Sequence, residues 1–230
     1  MEVQRNMTGR RINYRPMVEA ELTRVERERA YNVSDNVESK ASVIRGDLAF
    51  ASRIEGENWQ RRAFWYCLKV ETGKEFDVEK TLLKANIDAF MPREKWMRVS
   101  KGQKIEAVSP FFPSYMLVRF VPSVEAFRGI RTVKHVVDFL RGPDHYHVIN
   151  DTDVTVFKGI CDAPQPPRER TDKSMRDGDK ADIVKGPFTG FMCMILSVRW
   201  SLIARARVAI DVQGKVFEID SMPLAFLKKL

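Results

Sequence analysis

Two histidines and a carboxylate stand close together in this sequence and are its first candidates for chemistry. His145 and His147 form an H-x-H pair, and Asp144 precedes them directly. Imidazoles and carboxylates are metal-ligand groups, but a metal site needs a third convergent ligand, for which one adjacent aspartate is weak support. The pattern therefore favours a polar surface turn, and we expect no metal ion and no cofactor.

The three cysteines indicate a reducing compartment and hence a cytoplasmic protein. Cys67, Cys161 and Cys193 are odd in number and widely spaced, with no C-x-x-C pair. Cys67 and Cys193 lie in apolar runs, where a buried and unreactive thiol is the usual case. Cys161 has no neighbouring histidine that would make it a nucleophile, so an enzyme with a Cys–His site stays a remote alternative.

The chain of 230 residues is basic, with a formal net charge of +8. A basic balance favours an anionic partner, either nucleic acid or an acidic protein surface, and is equally compatible with no such partner. No run approaches the roughly 18–20 apolar residues of a membrane span, so we expect no membrane partner. Phosphate-binding glycine loops and the G-x-S-x-G motif are missing from the sequence, which favours a binding protein over an enzyme.

The first 62 residues are a charged N-terminal extension. A helix is predicted from Pro16 through Val25, because the apolar residues of this stretch keep helical spacing. A second helix is predicted over residues 42–54. Neither carries a recognisable site. The extension is either an arm that touches nucleic acid or a partner, or a partly helical tail, and its weak patterning favours the tail.

Residues 63–161 are predicted to form an α+β domain of order β-α-β-β-α-β, with helices on one face of a mainly antiparallel sheet. Period two separates Tyr115 and Leu117 from Met116 and Val118, so one set can face a partner while the other packs under helices. The predicted elements are a strand at 64–70, a helix at 74–85, an extended run at 87–99 that turns and returns at 105–108, a strand at 116–121, a helix at 124–130, a strand at 133–140 and a helix at 151–160.

Residues 162–177 are predicted to be a linker, because prolines and alternating charges favour an extended, solvated spacer. Residues 178–230 contain short strands separated by turns every 8–12 residues, which is typical of a small closed barrel. The predicted strands cover 178–184, 191–198, 204–212 and 216–219, with a tight loop at 185–190 and a hairpin turn at 213–214.

Residues 63–230 resemble the NusG family, an N-terminal domain followed by a KOW domain. The resemblance implies a NusG N-terminal-type α/β sandwich joined to an SH3-like barrel, with no enzymatic activity. It does not cover residues 1–62. The motifs that carry it, in order, are Trp65-Tyr66, Gly73-Lys74, Phe90-Met91-Pro92-Arg93, Phe112-Pro113-Ser114-Tyr115, Gly178-Asp179 with Gly186-Pro187-Phe188 and Phe191, and Leu227 to Leu230.

Two glycines of the family pattern are replaced, by Ser114 in the Phe-Pro-Gly-Tyr motif and by Cys193 after Phe191. Losing a glycine implies either that the position does not need φ > 0 or that the loop is rebuilt. These changes, and residues 104–112, resemble the specialised RfaH-like antiterminators of the family more than its general factor.

The resemblance implies that the first domain docks on the clamp helices of the largest subunit of RNA polymerase and favours the processive, non-paused state. Lys69 lies at the rim of the expected docking surface, although a lysine at such a position is most commonly just exposed to solvent. Leu117 is as compatible with an ordinary core position as with a contact. The residues expected to bind polymerase are Trp65, Lys69, Phe112, Tyr115 and Leu117.

Basic residues interleaved with an aromatic follow Pro92 and could track non-template DNA, although an exposed hairpin of mixed charge explains them equally well. Two further arginines near the second helix could face the same strand or the opposite polymerase jaw. The candidates for nucleic-acid binding are Arg93, Lys95, Trp96, Arg98, Arg128 and Arg131.

The KOW domain is implied to recruit a second partner, a small ribosomal subunit protein or a termination factor. Phe191 matches the exposed contact aromatic of the family, whereas Phe188 is expected mainly to pack the loop. The alternative function is an RNA-binding or ribosome-associated KOW protein that acts in translation or assembly. Its RNA contacts would be Lys180, Lys185, Arg205 and Arg207.

Overall fold

The structure is a computed structural model and describes residues 23–29, 43, 46–54, 56–100, 103–142, 144–162, 172–200 and 204–230. The chain divides into two compact units, residues 1–44 and 45–230. In the first unit, residues 24–29 are helical. Thr23 caps this helix, since its backbone N–H and hydroxyl donate to Glu26 Oε2 at 2.9 and 2.6 Å. Residues 16–22 of the first predicted helix lie outside the described residues, and of the second predicted helix, 42–54, residues 46–50 are helical.

Residues 45–162 contain an antiparallel sheet of strand order β2-β5-β1-β6, with β7 also pairing with β1. Strands β3 and β4 form a separate two-stranded hairpin. The predicted α+β class is confirmed. The elements are helices α1 Glu57–Arg62, α2 Glu75–Lys84, α3 Val124–Arg131 and α4 Asp151–Asp162, and strands β1 Phe64–Val70, β2 Asp88–Phe90, β3 Arg93–Ser100, β4 Gln103–Pro110, β5 Tyr115–Phe120, β6 Val136–Phe139 and β7 Val148–Ile149.

The C-terminal residues form a five-stranded antiparallel sheet of order β11-β10-β9-β8-β12, which makes a small SH3-like barrel. Both ladders of β10 shift register beside Val208, and such a bulge bends a strand as barrel closure requires. The elements are β8 Lys180–Ile183, β9 Met192–Arg199, β10 Arg205–Val212, β11 Lys215–Pro223, a 3-10 turn Leu224–Phe226 and β12 Leu227–Lys229.

The first sheet is apolar on both faces. One face packs under α2 and α3, where Leu68 and Met116 meet Leu82 and Ile130 in a single cluster. The other face belongs to a second cluster, which continues into the core of the C-terminal barrel. The sheet is therefore buried on both sides within residues 45–230, although helices of its own domain cover only one face fully.

Part of the N-terminal extension belongs to this fold, because residues 46–50 form a helical segment that crosses α3 closely. A Cβ on Gly129 would lie 2.6 Å from backbone atoms of Asp47 and Leu48, so only glycine fits this crossing. Arg128 secures it with a bidentate ion pair to Asp47, at 2.5 and 2.8 Å. None of the described helices has the length and apolar character needed to cross a membrane.

Candidate partner-binding face

Alternate residues of β1 and β5 build an aromatic and aliphatic face on the sheet. Trp65 and Cys67 project from β1, and Tyr115 and Leu117 project beside them from β5, with Cys67 opposite Leu117 in the ladder. Phe112 lies in the loop that enters β5. All five side chains are buried. We call these five residues the aromatic face; the structure brings together all of the predicted polymerase-binding residues, with Lys69 at the margin.

The aromatic face is covered by α4 and by the barrel. Phe157 of α4 stacks on Phe112 with 5.4 Å between ring centroids. Phe188 of the barrel lies edge-on to Phe112 and to Tyr115, each at 5.2 Å. Phe226 extends the same aromatic cluster from the 3-10 turn. The surface expected to meet a partner is thus occupied by the chain itself, which the sequence did not predict.

Tyr115 anchors this contact with its hydroxyl as well as its ring. The hydroxyl donates a hydrogen bond of 2.9 Å to the backbone carbonyl of Glu218 in β11. Burial, with the negative charges of nearby groups, raises the pKa of Tyr115 far above its usual value. The phenol therefore stays protonated and remains a donor.

Lys69 lies at the margin between the sheet and the barrel. Its ammonium is 5.9 Å from the ring centroid of Tyr115 and 5.8 Å from that of Phe217 in β11. A half-buried lysine between two aromatic rings gains cation–π attraction, and its methylene chain covers apolar surface. Lys69 therefore contributes to closing the barrel onto the sheet in this arrangement.

Two ion pairs flank the covered face. Arg205 of β10 pairs with Glu94 of β3 and also donates to the carbonyl of Phe111 at 3.4 Å. Burial raises the pKa of Glu94 by more than Arg205 lowers it. Lys215 of β11 lies 2.5 Å from Asp138 of β6. Burial opposes ionisation of Asp138, but Lys215, the backbone N–H of Phe139 and Arg141 together hold its pKa below the usual value. These pairs join the barrel to the sheet domain at two separated points.

Ser114 occupies the position where the family pattern has glycine, and its backbone keeps the left-handed conformation, with φ of 70°. The expectation that this position does not need φ > 0 is therefore wrong. Two contacts offset the strain: the hydroxyl lies 2.6 Å from Thr72 Oγ1, and the amide donates to the buried carboxylate of Glu75 at 2.9 Å. Cys193, the second replaced glycine, lies in the barrel core, where burial raises its pKa to about 11.

Four of the six predicted nucleic-acid residues have side chains that the structure describes, and each of these four contacts another side chain of the chain. Arg93 pairs with Glu79 and its guanidinium lies 5.4 Å from the ring of Phe76. Lys95 pairs with Glu106 across the hairpin at 3.0 Å, and both remain exposed.

Two other candidates are also engaged within the chain. Arg128 is the partner of Asp47, and Arg131 donates to the hydroxyl of Tyr146 at 2.8 Å. The side chains of Trp96 and Arg98 lie outside what the structure describes. Of the arginines proposed for RNA, Arg205 pairs with Glu94, and Arg207 pairs with Glu218 and Asp220.

The barrel aromatics predicted to bind a partner also contact the first domain. Phe188 is buried against the aromatic face, and Phe191 is half-buried with its ring centroid 4.5 Å from that of His147. The His147 ring is hydrogen-bonded to the backbone carbonyl of Pro187. Burial is the main cause that lowers the pKa of His147, and the nearby His145 lowers it further. The hydrogen bond to Pro187 and the charge of Asp153 act to raise the pKa but do not outweigh burial. The H-x-H turn is therefore an interdomain contact at His147 rather than a free surface turn.

Sequence reasoning missed three groups that build the site. Phe157 and Phe226 were not singled out, because an apolar residue in a predicted helix or near a chain end carries no sign of its partner. His147 was weighed only as a metal ligand. Within the described residues, no group of three or more His, Cys, Asp or Glu side chains could hold a metal ion.

Alternating cations and aromatic rings continue from the aromatic face toward the extension. Lys158 of α4 lies 4.9 Å from the ring centroid of Trp65. The guanidinium of Arg119 lies between the rings of Trp65 and Trp59, at 5.9 and 5.5 Å, and Arg53 lies 5.8 Å from Trp59. This series links residues 53–59 to the covered sheet face.

A sequence model of the family described as "Transcription termination factor nusG" matches residues 63–158. The NusG transcription termination/antitermination protein of Buchnera aphidicola is 24% identical over 167 residues, which are 68% of this chain and 91% of that protein. The Escherichia coli K12 protein of the same name is 24% identical over 168 residues, with 68% and 91% covered. A solved structure of Thermotoga maritima NusG, described as showing domain interaction, is 17% identical, covers 74% of this chain and 98% of its own, and has a TM-score of 0.38.

The fold is an α+β domain followed by a small five-stranded barrel that is compatible with a KOW domain. Over residues 63–158 the chain is similar to the NusG family of transcription termination/antitermination proteins.

Proposed function

We propose that the chain is a transcription elongation and antitermination factor that binds the clamp helices of the largest RNA polymerase subunit through its aromatic face. Trp65, Phe112, Tyr115 and Leu117 supply the apolar contact, with Lys69 at its rim. In the arrangement described above, the barrel occupies that face. The factor therefore binds polymerase after the barrel has moved away.

The observation that carries the proposal is the chemistry of the aromatic face. It is built from large aromatic side chains on a rigid sheet, and such residues supply large contact area at low entropic cost. A pair of polymerase helices would replace Phe188 of the barrel as the cover. The polar contacts from the barrel to the first domain include the Tyr115 hydrogen bond, the two flanking ion pairs, the bond from Arg205 to the Phe111 carbonyl and that of His147 to Pro187. Among the described residues no strand pairing joins the two sheets, which favours a cover that can exchange.

The mechanism is a shift in population. A factor that bridges the two jaws of the clamp binds the closed, elongating polymerase more tightly than the swivelled, paused enzyme, and so favours the processive state by its differential affinity. No covalent step is required. Non-template DNA would meet the β3–β4 hairpin, where Lys95 is exposed, and each phosphate contact would add salt dependence rather than sequence reading.

A released barrel would recruit the second factor, a small ribosomal subunit protein or a termination factor. Release would expose Phe188 and Phe191 together, because both contact the first domain in the covered arrangement. The replacement of two family glycines by Ser114 and Cys193 supports a specialised paralogue rather than the general factor. A genome-wide occupancy map would give a few loci for a specialised factor and most transcribed genes for a general one.

The test is retention of core RNA polymerase by the immobilised chain at low salt. The variant Arg205→Glu/Lys215→Glu weakens the cover from the barrel side and leaves the aromatic face unchanged, so it should retain more polymerase than the wild type. Adding Tyr115→Ala to it should abolish retention. If the opened variant retains no polymerase while its aromatic face is exposed, the proposal is wrong.

A further inference from the structure

A cavity lies between the N-terminal extension and the loop that follows β5. Its volume is about 650 Å³, within the roughly 300–1,000 Å³ that small-ligand sites occupy. None of the described residues that line it belongs to the barrel. We call it the extension cavity. Its apolar wall consists of Phe50, Ile54, Trp59, Val121 and Pro122.

Two large apolar side chains of the extension cavity remain open to solvent. Phe50 and Ile54 are 61 and 69% exposed, whereas Trp59 is only 6% exposed. Exposed apolar side chains around a concave surface indicate a binding site, because burying them against a ligand is favourable. The ring of Phe50 is therefore available to stack on a ligand.

Two buried donors at this wall have no acceptor among the described residues. They are the indole Nε1 of Trp59 and the Nε of Arg119. The Arg119 guanidinium lies 5.5 Å from the ring centroid of Trp59, and Asp151 already balances its charge at 3.6 Å. Indole and guanidinium nitrogens only donate, and nearly all buried polar atoms have a partner. The wall therefore favours a ligand that brings acceptor oxygens.

The charge at the extension cavity is positive. Arg62 lines the cavity and forms no ion pair with a described residue. The same holds for Arg53, whose guanidinium lies 5.8 Å from the ring centroid of Trp59. Glu57 is the one acidic residue of the described lining, and its carboxylate already lies 3.7 Å from Arg61. The unpaired arginines therefore favour an anionic ligand.

We propose that the extension cavity binds one nucleotide unit, a planar base with its phosphate, either free or within a single strand. The base would stack on Phe50, since every base has a face that an aromatic ring can cover. Asn58, which also lines the cavity, offers an amide donor and an amide acceptor to the edge of the base. Arg62 would bind the phosphate through its planar N–H donors. Phosphate and base oxygens supply the acceptors that the wall at Trp59 lacks.

Other ligands would use only part of this lining. A hydrocarbon would meet Phe50 but would leave the charge of Arg62 unpaired. An acidic side chain of a peptide would meet Arg62, but it has no planar face for Phe50 and no polar ring edge for Asn58. A nucleotide meets all three residues. The site does not rest on the proposed polymerase binding, because its described lining contains no residue of the aromatic face or the barrel.

The test measures the binding of a fluorescein-labelled single strand of about eight thymidines to the full chain, a length typical of single-strand sites. Fluorescence anisotropy should show saturable binding. A strand with the same phosphates but no bases should bind at least about tenfold more weakly, because stacking of one base is worth about that factor. Equal binding of the two strands, or binding of neither, would overturn the proposal.

Competition with thymidine monophosphate distinguishes the two sources of the nucleotide. Displacement of the labelled strand assigns the extension cavity to free nucleotides. Retention of the strand in an excess of the monophosphate assigns it to a nucleotide within a single strand. Tighter binding of a peptide of alternating phenylalanine and glutamate, lost in Phe50→Ala, would assign the cavity to a protein partner and overturn the proposal.

Paired variants separate the extension cavity from the β3–β4 hairpin, which the proposed function assigns to DNA. Phe50→Ala should weaken binding of the thymidine strand about tenfold. Leu83→Ala, which removes an exposed side chain of α2, should leave it unchanged. Both residues are more than half exposed, so both variants should stay folded by circular dichroism. Undiminished binding by Phe50→Ala would show that the strand binds elsewhere and would sink the proposal.

The two neighbouring arginines of α1 provide the matched pair for charge. Arg62→Gln should weaken binding of the thymidine strand about threefold through loss of a phosphate contact. Arg61→Gln removes the same charge from a side chain that does not line the cavity, and it should change binding less than about twofold. Equal losses in the two variants would indicate attraction to the basic surface alone, contrary to a built site.

Discussion

The hydroxyl of Tyr115 in the first domain donates to the main-chain carbonyl of Glu218 in the barrel, at 2.9 Å. The acceptor is backbone, so the contact depends on the position of β11 and not on the side chain at residue 218. The donor belongs to the aromatic face. Tyr115, one of the residues expected to bind polymerase, therefore also helps to hold the barrel in place.

Replacing Tyr115 by phenylalanine should loosen the barrel while it keeps the ring contacts. Loss of one buried hydrogen bond costs about 1 kcal/mol, which raises the population of the uncovered state about fivefold. Cys67 reports this change, because its thiol is fully buried on the aromatic face. Its rate of modification by a thiol reagent should rise by about the same factor.

Tyr66→Phe is the control for that measurement. Tyr66 lies in the same strand, β1, but faces the other side of the sheet, under α3. Removing its hydroxyl should change the modification rate of Cys67 less than about twofold, because Tyr66 belongs to the cluster on the opposite face of the sheet, which contains no barrel residue. Cys193 in the barrel core should stay protected throughout, and its equal exposure would indicate unfolding instead of opening.

The ion pair between Arg205 and Glu94 should contribute measurably to closing. In a double-mutant cycle with alanine, we expect a coupling energy of about 1–3 kcal/mol, because both side chains are largely removed from water. Lys95 and Glu106 on the same hairpin are the matched exposed pair and should give less than about 0.5 kcal/mol. Urea unfolding measures both cycles, and equal coupling energies would contradict this role for Arg205.

Acid should weaken the covered arrangement through His147. Burial lowers the pKa of His147, so the covered state favours the neutral ring. Its contribution to stability is complete above the ordinary histidine pKa of about 6.5 and is lost as the pH falls toward the lowered pKa. Lowering the pH from about 7.5 to about 5.5 should therefore reduce the unfolding free energy of the wild type. The same change of pH should reduce the unfolding free energy of His147→Gln by a smaller amount. Identical drops would exclude His147 as the source.

Gly129→Ala should detach the helical segment at residues 46–50 from α3. A methyl group at this position would meet backbone atoms of Asp47 and Leu48 at 2.6 Å, so the helices must separate, at a cost of about 1–3 kcal/mol. Gly159→Ala is the matched control, because Gly159 lies in α4 with no atom near its missing Cβ. It should stabilise the chain by about 0.5–1 kcal/mol through helix propensity. Thermal unfolding measures both effects: the Tm should fall in Gly129→Ala and rise in Gly159→Ala.

Elements with a strong local pattern were predicted from the sequence. β1 was predicted with its observed limits because an aromatic and branched run ends at Thr72-Gly73. α3 was predicted at residues 124–130 and is observed at Val124–Arg131, where the Ser123 hydroxyl caps it by accepting from the Ala126 N–H at 3.0 Å. The run at 87–99 was predicted as one strand, but it breaks at Met91-Pro92 into β2 and β3. The two-residue β7 and three-residue β12 were not predicted, since strands that short have no period to detect.

The composition of the site was predicted, but its surroundings were not. Phe112 and Tyr115 follow from a local motif, and period two correctly separated Tyr115 from Met116. Phe157 and Phe188, which cover them, lie tens of residues later, and contacts at that separation leave no mark on local patterning. Pairing of Arg128 with Asp47 was missed for the same reason.

A covered aromatic face changes how any affinity measured for this chain should be understood. A ligand of that face binds only the fraction of molecules in which Phe188 has left Phe112 and Tyr115. Its apparent dissociation constant is the intrinsic constant divided by that fraction, so a chain open one time in about a hundred binds about a hundredfold more weakly than its isolated first domain. Occupancy of polymerase would then respond to small changes in the barrel contacts as steeply as to changes in the contact surface itself.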